Sequence, residues 1–214
     1  MTRALIVIDV QNEYVTGNLP IAFPDVTTSL ANIGAAIDAA NRLAIPVVVI
    51  QQVAPEGSPI FAVGSHGWSL HETVTSRPHD VVIEKSLPSA FANTTLGSWL
   101  AAKDVDTLTI VGYMTQNCDE STARDAAHRG FAVELLSDAT GTLPLSNAAG
   151  SISAEELHHG VLVTLQSRFA AVATTTAWIS ALGAGAPLER PNLFSSVVAG
   201  RDLLPPSSDG LTHA

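Results

Sequence analysis

The sequence predicts an α/β domain, a parallel sheet covered by helices on both faces in a three-layer α/β/α arrangement. Two observations carry that expectation. Six short runs rich in β-branched residues end in polar residues: Ala4–Val10, Pro46–Gln52, Asp80–Glu84, Thr107–Tyr113, Phe131–Leu136 and Ala170–Thr174. Each is continuously apolar rather than alternating, as strands buried on both faces are, and longer segments at helical spacing lie between them. The 214 residues are 46% hydrophobic and 14% charged, enough apolar material for one core of ordinary domain size.

Between the first two runs, Val26, Leu30, Ile33, Ile37 and Ala40 recur three or four apart, leaving Asp25, Asn32, Asp38 and Asn41 to point outward. This is the pattern of a right-handed crossover helix. The stretch Val53–His79 carries Pro55, Pro59, Gly64, Gly67 and Pro78 without periodicity, and so long a loop is expected to be a lid or binding loop. A second helix is expected from Cys118 to His128, stopped by Gly130, with Asp119 and Glu120 in its first turn where the helix dipole favours them. A third begins after Ser153, whose spacing to Glu156 fits a capping box.

Residues 183–214 are rich in Gly, Pro and Ser, so the expected division is a domain over 1–182 and a C-terminal tail over 183–214. The tail holds Leu193, Phe194, Val197, Val198, Leu203 and Leu204, too much apolar surface for a solvated linker, while prolines at 187, 191, 205 and 206 prevent one long helix. It is expected to pack on a neighbouring subunit of a homo-oligomer, a dimer or tetramer.

Ten Lys+Arg against twenty Asp+Glu leave a formal charge of −10, which argues against nucleic acid or an anionic membrane as partner, because both need a basic footprint. The single cysteine cannot form an internal bridge, no run approaches eighteen apolar residues, and the first ten residues pass straight into a strand-like run without a signal-peptide pattern. A soluble, cytoplasmic protein is expected.

In doubly wound sheets ligands sit outside the carboxyl ends of the strands, which singles out Asp9, Lys85 and Cys118. Asp9 follows four apolar residues at the end of the first run, where it is either a partly desolvated functional carboxylate or a turn cap. Lys85, one of only two lysines, emerges from the third run and is either functional or a solvated partner of Glu84. Cys118 lies between a strand and a helix. Free cysteines are most often inert and buried, but a helix start and a nearby lysine favour thiolate, while Asp119 and Glu120 oppose it.

Three ordered motifs at three strand ends are similar to those of the isochorismatase-like cysteine hydrolases, a group that includes nicotinamidases, N-carbamoylsarcosine amidases and ureidoacrylate amidases. They are Leu5-Ile6-Val7-Ile8-Asp9-Val10-Gln11-Asn12-Glu13-Tyr14; Val82-Ile83-Glu84-Lys85 followed by Pro88-Ser89-Ala90-Phe91; and Gly112-Tyr113-Met114-Thr115-Gln116-Asn117-Cys118 followed by Ser121-Thr122-Ala123-Arg124-Asp125-Ala126. The resemblance spans nearly all of residues 4–182. It implies a six-stranded sheet in the order 3-2-1-4-5-6, an Asp9–Lys85–Cys118 triad, a cis peptide joining Tyr113 to Met114, and an oxyanion hole built from the backbone N–H groups of Met114 and Cys118. The implied reaction is hydrolysis of a C–N bond in a small amide, carbamoyl compound or lactam through a thioester, with no cofactor.

The resemblance also implies what is missing. Nicotinamidases place an Asp-x-His pair and a further His just beyond the second strand to bind a metal, whereas this chain reads Gln51-Gln52-Val53-Ala54-Pro55, so no metal is expected. The spacing of His66 to His71 makes no metal site by itself, and His158 and His159, adjacent on a helix, diverge and are expected at the surface. Isochorismatases acting on a vinyl ether lack the cysteine that this chain keeps. Substrate contacts are expected from Tyr14, Gln52, Phe61, Trp68, Phe91 and Tyr113, with Gln116 a further hydrogen-bond partner for an amide, although any single aromatic is more often core packing. Two other classes compete. A dinucleotide-binding dehydrogenase needs a Gly-rich turn after the first strand, and Asp9-Val10-Gln11-Asn12-Glu13 has none; a non-catalytic binding module would keep the fold with a relic triad.

Overall fold

The computed structural model describes residues 1–203. In chain order the elements are β1 (Arg3–Ile8), α1 (Val26–Arg42), β2 (Val47–Gln52), α2 (Glu72–Thr75), β3 (Val81–Lys85), α3 (Leu96–Ala101) and β4 (Thr107–Tyr113). A π-helical turn (Thr115–Asp119) then runs into α4 (Glu120–His128). There follow β5 (Ala132–Gly141), a hairpin of β6 (Leu145–Asn147) and β7 (Gly150–Ile152), α5 (Ala154–Arg168), β8 (Ala171–Ala173), α6 (Thr175–Ala184) and α7 (Leu193–Ala199).

Six strands form one parallel sheet in the order β3-β2-β1-β4-β5-β8. This is the expected 3-2-1-4-5-6, with β8 as the sixth strand; the β6–β7 hairpin inserted before α5 was not anticipated. Successive residues of a strand face opposite sides, so an uninterrupted apolar run feeds two cores at once. Leu5, Val7, Val47 and Val49 pack with Ile33, Ile37 and Ala40 of α1 and Trp178 of α6 on one face. Ile6, Ile8, Val48, Ile50, Leu108 and Ile110 pack with Leu100, Ala123, Ala126, Leu162 and Leu165 on the other.

The helix boundaries follow local chemistry. Asp25 caps α1 by accepting from the Thr28 backbone N–H at 3.0 Å, and Ser153 and Glu156 form the expected capping box at the start of α5. Asn32, expected to point to solvent, is half-buried and donates to the Asp138 carbonyl at 2.9 Å.

Two expectations about the strands are corrected. The third run is not buried on both faces: β3 is an edge strand, with Val82 40% exposed and Ile83 and Lys85 turned inward. β5 continues past Leu136 to Gly141. The boundary at 182/183 falls within α6, which runs to Ala184 and ends at Gly185 with φ 64°. Beyond it, α7 lies beside α5 of the same chain. The part of the tail expectation that rests on Leu204, Pro205 and Pro206 lies outside the described residues. No helix among the described residues is long and apolar enough to cross a membrane.

Candidate active site

The strand order places the carboxyl ends of β1 and β4 side by side where the chain's winding reverses, the place where open α/β sheets take ligands. Their close approach depends on Gly112, which has φ 124° and sits so near β1 that a Cβ would stand 2.0 Å from the Ile8 carbonyl oxygen. One residue later, the Tyr113–Met114 peptide bond is cis, as the resemblance implied.

Asp9 follows β1 directly, with φ 50°, a conformation uncommon outside glycine, and its backbone N–H donates to Ile50 at 2.9 Å. Lys85 is the last residue of β3, paired in register with Gln52 of β2. Its four-carbon stem brings Nζ to 2.7 Å from Asp9 Oδ2, and both side chains are fully buried. The same Nζ donates to Gln52 Oε1 at 2.7 Å and to Cys118 Sγ at 3.2 Å. Cys118 sits in the π-helical turn ahead of α4, 4% exposed. The three residues singled out at strand ends therefore meet around one ammonium group.

Their electrostatics differ from the expectation in two respects. Burial raises the Asp9 carboxyl above its ordinary value, against the pull of Lys85. Burial works against the Lys85 ammonium, but the charges of Asp9 and Cys118 outweigh it and raise its pKa. A helix start and a lysine were expected to favour thiolate at Cys118. Instead burial, reinforced by Asp9, pushes the thiol up and outweighs Lys85. Burial thus favours the protonated thiol at Cys118. Nor does Asp119 sit as a solvated charge on the first turn. It is fully buried, and its carboxyl is raised well above the ordinary value by burial and by Asp9. Glu120 instead pairs with Arg124 at 2.6 Å.

Above the triad lies a cavity of about 200 Å³. Of the expected substrate contacts it is lined by Tyr14, Gln52 and Phe61, together with Met114 and Cys118. Phe91, Tyr113 and Trp68 are not on it. Phe91 packs in the core against Phe131, with ring centroids 5.9 Å apart, and Tyr113 turns the other way, its hydroxyl 2.7 Å from Ser29 Oγ. Trp68 serves through its backbone, its carbonyl accepting from Gln11 Nε2 at 2.7 Å and Gln51 Nε2 at 2.9 Å. Gln116 is likewise occupied, accepting from the Thr142 hydroxyl at 2.6 Å. Sequence reasoning missed Asn117, which borders the nucleophile, the stretch Ser86–Pro88 immediately after Lys85, and Leu19 and Ile60. It also missed Gln11, buried in the first motif, whose amide exchanges two hydrogen bonds with the Gln52 backbone and so steadies the β2 end that holds Lys85.

The histidines divide. His159 is exposed as expected, but His158 is 2% exposed, contrary to the expectation, and bonds to Thr115 at the start of the nucleophile turn. His66 reaches Thr16 at 2.9 Å and His71 caps α2. Among the described residues no group of three or more His, Cys, Asp or Glu is placed to hold a metal ion.

The pattern of the whole domain decides the family: the isochorismatase domain model matches residues 3–177. The chain belongs to the isochorismatase family. Within that family, a crystallised protein of Burkholderia xenovorans LB400, provisionally named an isochorismatase, is 57% identical, with a TM-score of 0.92 over 95% of this chain and 99% of its own. The ureidoacrylate amidohydrolase RutB of Methylobacterium radiotolerans is 34% identical over 215 residues, covering 85% of this chain and 80% of the relative. A cysteine hydrolase structure from Pseudomonas syringae pv. phaseolicola is 26% identical, with a TM-score of 0.78 over 86% of this chain and 93% of that one. This member of the isochorismatase family shares its six-stranded sheet with those structures, and its Asp9, Lys85 and Cys118 stand together at the switch point of that sheet.

Proposed function

We propose that the protein is a cysteine amidohydrolase that cleaves a C–N bond of a small amide, carbamoyl compound or lactam through a thioester on Cys118. The observation that carries this reading is the position of Lys85 Nζ, 2.7 Å from Asp9 Oδ2 and 3.2 Å from the Sγ of Cys118, which lines the cavity. The amidohydrolase name of the ureidoacrylate-cleaving relative and the cysteine hydrolase among the structural neighbours support it.

The chemistry follows from the charges. A buried, protonated thiol needs a base, and Asp9, raised above its ordinary value by burial, takes its proton while Lys85 stabilises the thiolate left behind. Sulfur attacks the carbonyl carbon and the carbonyl π electrons move to oxygen. The backbone N–H groups of Met114 and Cys118, at the cavity wall, are the proposed donors to that oxyanion. Collapse breaks the C–N bond, and the proton on Asp9 goes to the departing amine or ammonia. Water then gives its proton to Asp9 and its oxygen to the thioester carbonyl. The thiolate leaves, recovers the proton, and the acid is released. No step calls on a cofactor.

The test is a panel of small amides, carbamoyl compounds and lactams screened for ammonia or amine release, with intact-mass detection of an acyl adduct. An adduct on Cys118 that disappears in Cys118→Ala is expected. No release and no adduct across the panel would favour a binding module on the same fold.

A further inference from the structure

The cavity above the triad is built without charge. Its walls are Leu19, Ile60, Phe61, Leu87 and Pro88, and the hydrogen-bonding side chains among them, Tyr14, Gln52, Ser86 and Asn117, are uncharged. The nearest cation is Lys85, whose ammonium has three hydrogens. It also has three acceptors within 3.2 Å: Asp9 Oδ2, Gln52 Oε1 and Cys118 Sγ. Its charge is already paired with Asp9, and two of its hydrogens are donated to Gln52 and Cys118. Four of the arginines are committed to partners elsewhere: Arg3 to Glu134, Arg77 to Asp38, Arg124 to Glu120 and Arg129 to Asp125. The residues beyond 203 contain neither Lys nor Arg.

A carboxylate brought into this cavity would lose its water without gaining a counter-ion, and it would approach the buried charge of Asp9 when that group acts as base. Both effects oppose binding, and both are strongest in a water-poor apolar site. A neutral carboxamide meets neither penalty. Its polar end can use Ser86 and Asn117, and its apolar body can rest against Phe61, Leu87 and Pro88.

We infer that this site selects electrically neutral amides with an apolar body and excludes amides that carry a carboxylate near the scissile bond. The inference rests on the amidohydrolase reading and narrows its substrate class. It also sets this chain's substrate apart from ureidoacrylate, the anion in the name of its relative.

Because Cys118 is the only cysteine, the charge selectivity of the cavity can be read without any substrate. Iodoacetamide and iodoacetate deliver groups of equal size and differ in carrying an amide or a carboxylate. At one pH the thiolate fraction is common to both, so their rate ratio cancels the raised thiol pKa. The folded protein is expected to prefer iodoacetamide at least about 30-fold more strongly than its urea-unfolded chain does, on the strength of excluding an unpaired charge. Leu87→Arg, at a position 43% exposed on the cavity rim, should move the ratio back toward the unfolded value. Ile60→Arg serves the same purpose if the first variant does not fold. A folded-state ratio equal to the unfolded one, or a preference for iodoacetate, would overturn the inference.

Turnover separates this inference from the reading beneath it. Ammonia release from pentanamide should exceed that from 4-amino-4-oxobutanoate at least about 100-fold in kcat/KM. Equal or better use of the anionic amide overturns the selectivity while leaving an amidase. A retained alkylation preference without release from any amide of the wider panel removes the amidase and leaves a cavity that still selects neutral ligands.

Discussion

His158 and Thr115 are joined by a 2.9 Å hydrogen bond whose direction is fixed by a third group. Nε2 of His158 lies 3.1 Å from the Ser137 carbonyl oxygen, which can only accept, so Nε2 carries the proton and Nδ1 accepts from the Thr115 hydroxyl. Thr115 opens the π-helical turn that ends in Cys118 and Asp119, and it follows the cis Tyr113–Met114 bond. A buried imidazole on α5 thus ties down the turn that carries Cys118.

That link has a pH dependence with a definite sign. Burial lowers the His158 pKa from 6.5 to about 4, with His159 acting in the same direction and the Ser137 hydrogen bond opposing it. Between those values the unfolded chain binds the proton and the folded protein does not, so stability is complete above 6.5 and falls as pH drops toward 4. Denaturant melts of the wild type across that window should show the decline, and in His158→Asn, which keeps an acceptor near Nδ1 but does not titrate, it should be smaller. His158→Ala should cost about 2–4 kcal/mol, since it leaves a cavity and two unsatisfied polar groups. A wild-type stability independent of pH over this range would show that His158 is not the titrating group.

The triad makes a second set of expectations. Cys118→Ala should abolish turnover, because the proposed route has no other nucleophile. Asp9→Asn and Lys85→Ala should each lower kcat by at least about 10²-fold. In the wild type, activity should fall as pH drops through the raised Asp9 value, placing the acid limb above 3.8, the ordinary pKa of an aspartate. Lys85 is raised above 10.5, so its loss of charge lies at still higher pH. Steady-state rates across pH check both limbs. An acid limb at or below 3.8 would remove Asp9 as the base.

Asp9 and Lys85 were visible in sequence because each stands at the end of an apolar run, where α/β sheets bind ligands, and Cys118 because it lies between such a strand and a helix. Which aromatics border the cavity was not visible, since strand alternation settles it. Tyr113 shares the face of Val111 and points toward Ser29 of α1, while Phe91 is drawn into the core by Phe131. His158 was missed for a similar reason. Adjacent helical residues do diverge, but only one of the two reached solvent, and a helix face buried against the nucleophile turn leaves no local mark. The β6–β7 hairpin escaped because its strands are three residues each and exposed. The acid shift of Cys118 failed because helix start and lysine were weighed without the desolvation that burial imposes.

Self-association through the tail is a third expectation. On α7, Leu193, Phe194, Val197 and Val198 are 47%, 73%, 55% and 40% exposed, and Val163 of the adjacent α5 is 70% exposed. So much apolar surface on two neighbouring helices is the kind that a second copy of the chain covers. Light scattering on the intact protein should report a dimer or larger, and Phe194→Glu with Val197→Glu should lower the mass. A monomer at tens of micromolar would show that this surface is left to solvent.

The long segment after β2 makes the last prediction, and the structure divides its two aromatics. Phe61 is held with φ 53° while its carbonyl accepts from the Ala54 N–H at 2.9 Å, and this places its ring 5.3 Å from that of Tyr14 on the cavity wall. Trp68 was expected to line the same wall, yet its carbonyl, rather than its indole, does the positioning through Gln11 and Gln51. Phe61→Ala should therefore reorder kcat/KM across amides of different bulk, by the ~1–3 kcal/mol that a single pocket contact discriminates. The triad stands on strand ends and a turn that this change does not touch, so alkylation of Cys118 by iodoacetamide should stay within about threefold of wild type, a difference below ~1 kcal/mol. Trp68→Ala keeps the backbone carbonyl and should leave the substrate ranking as it was. If Trp68→Ala reorders the panel and Phe61→Ala does not, the wall assignment is reversed; if alkylation collapses in Phe61→Ala, the ring supports the nucleophile rather than the choice of substrate.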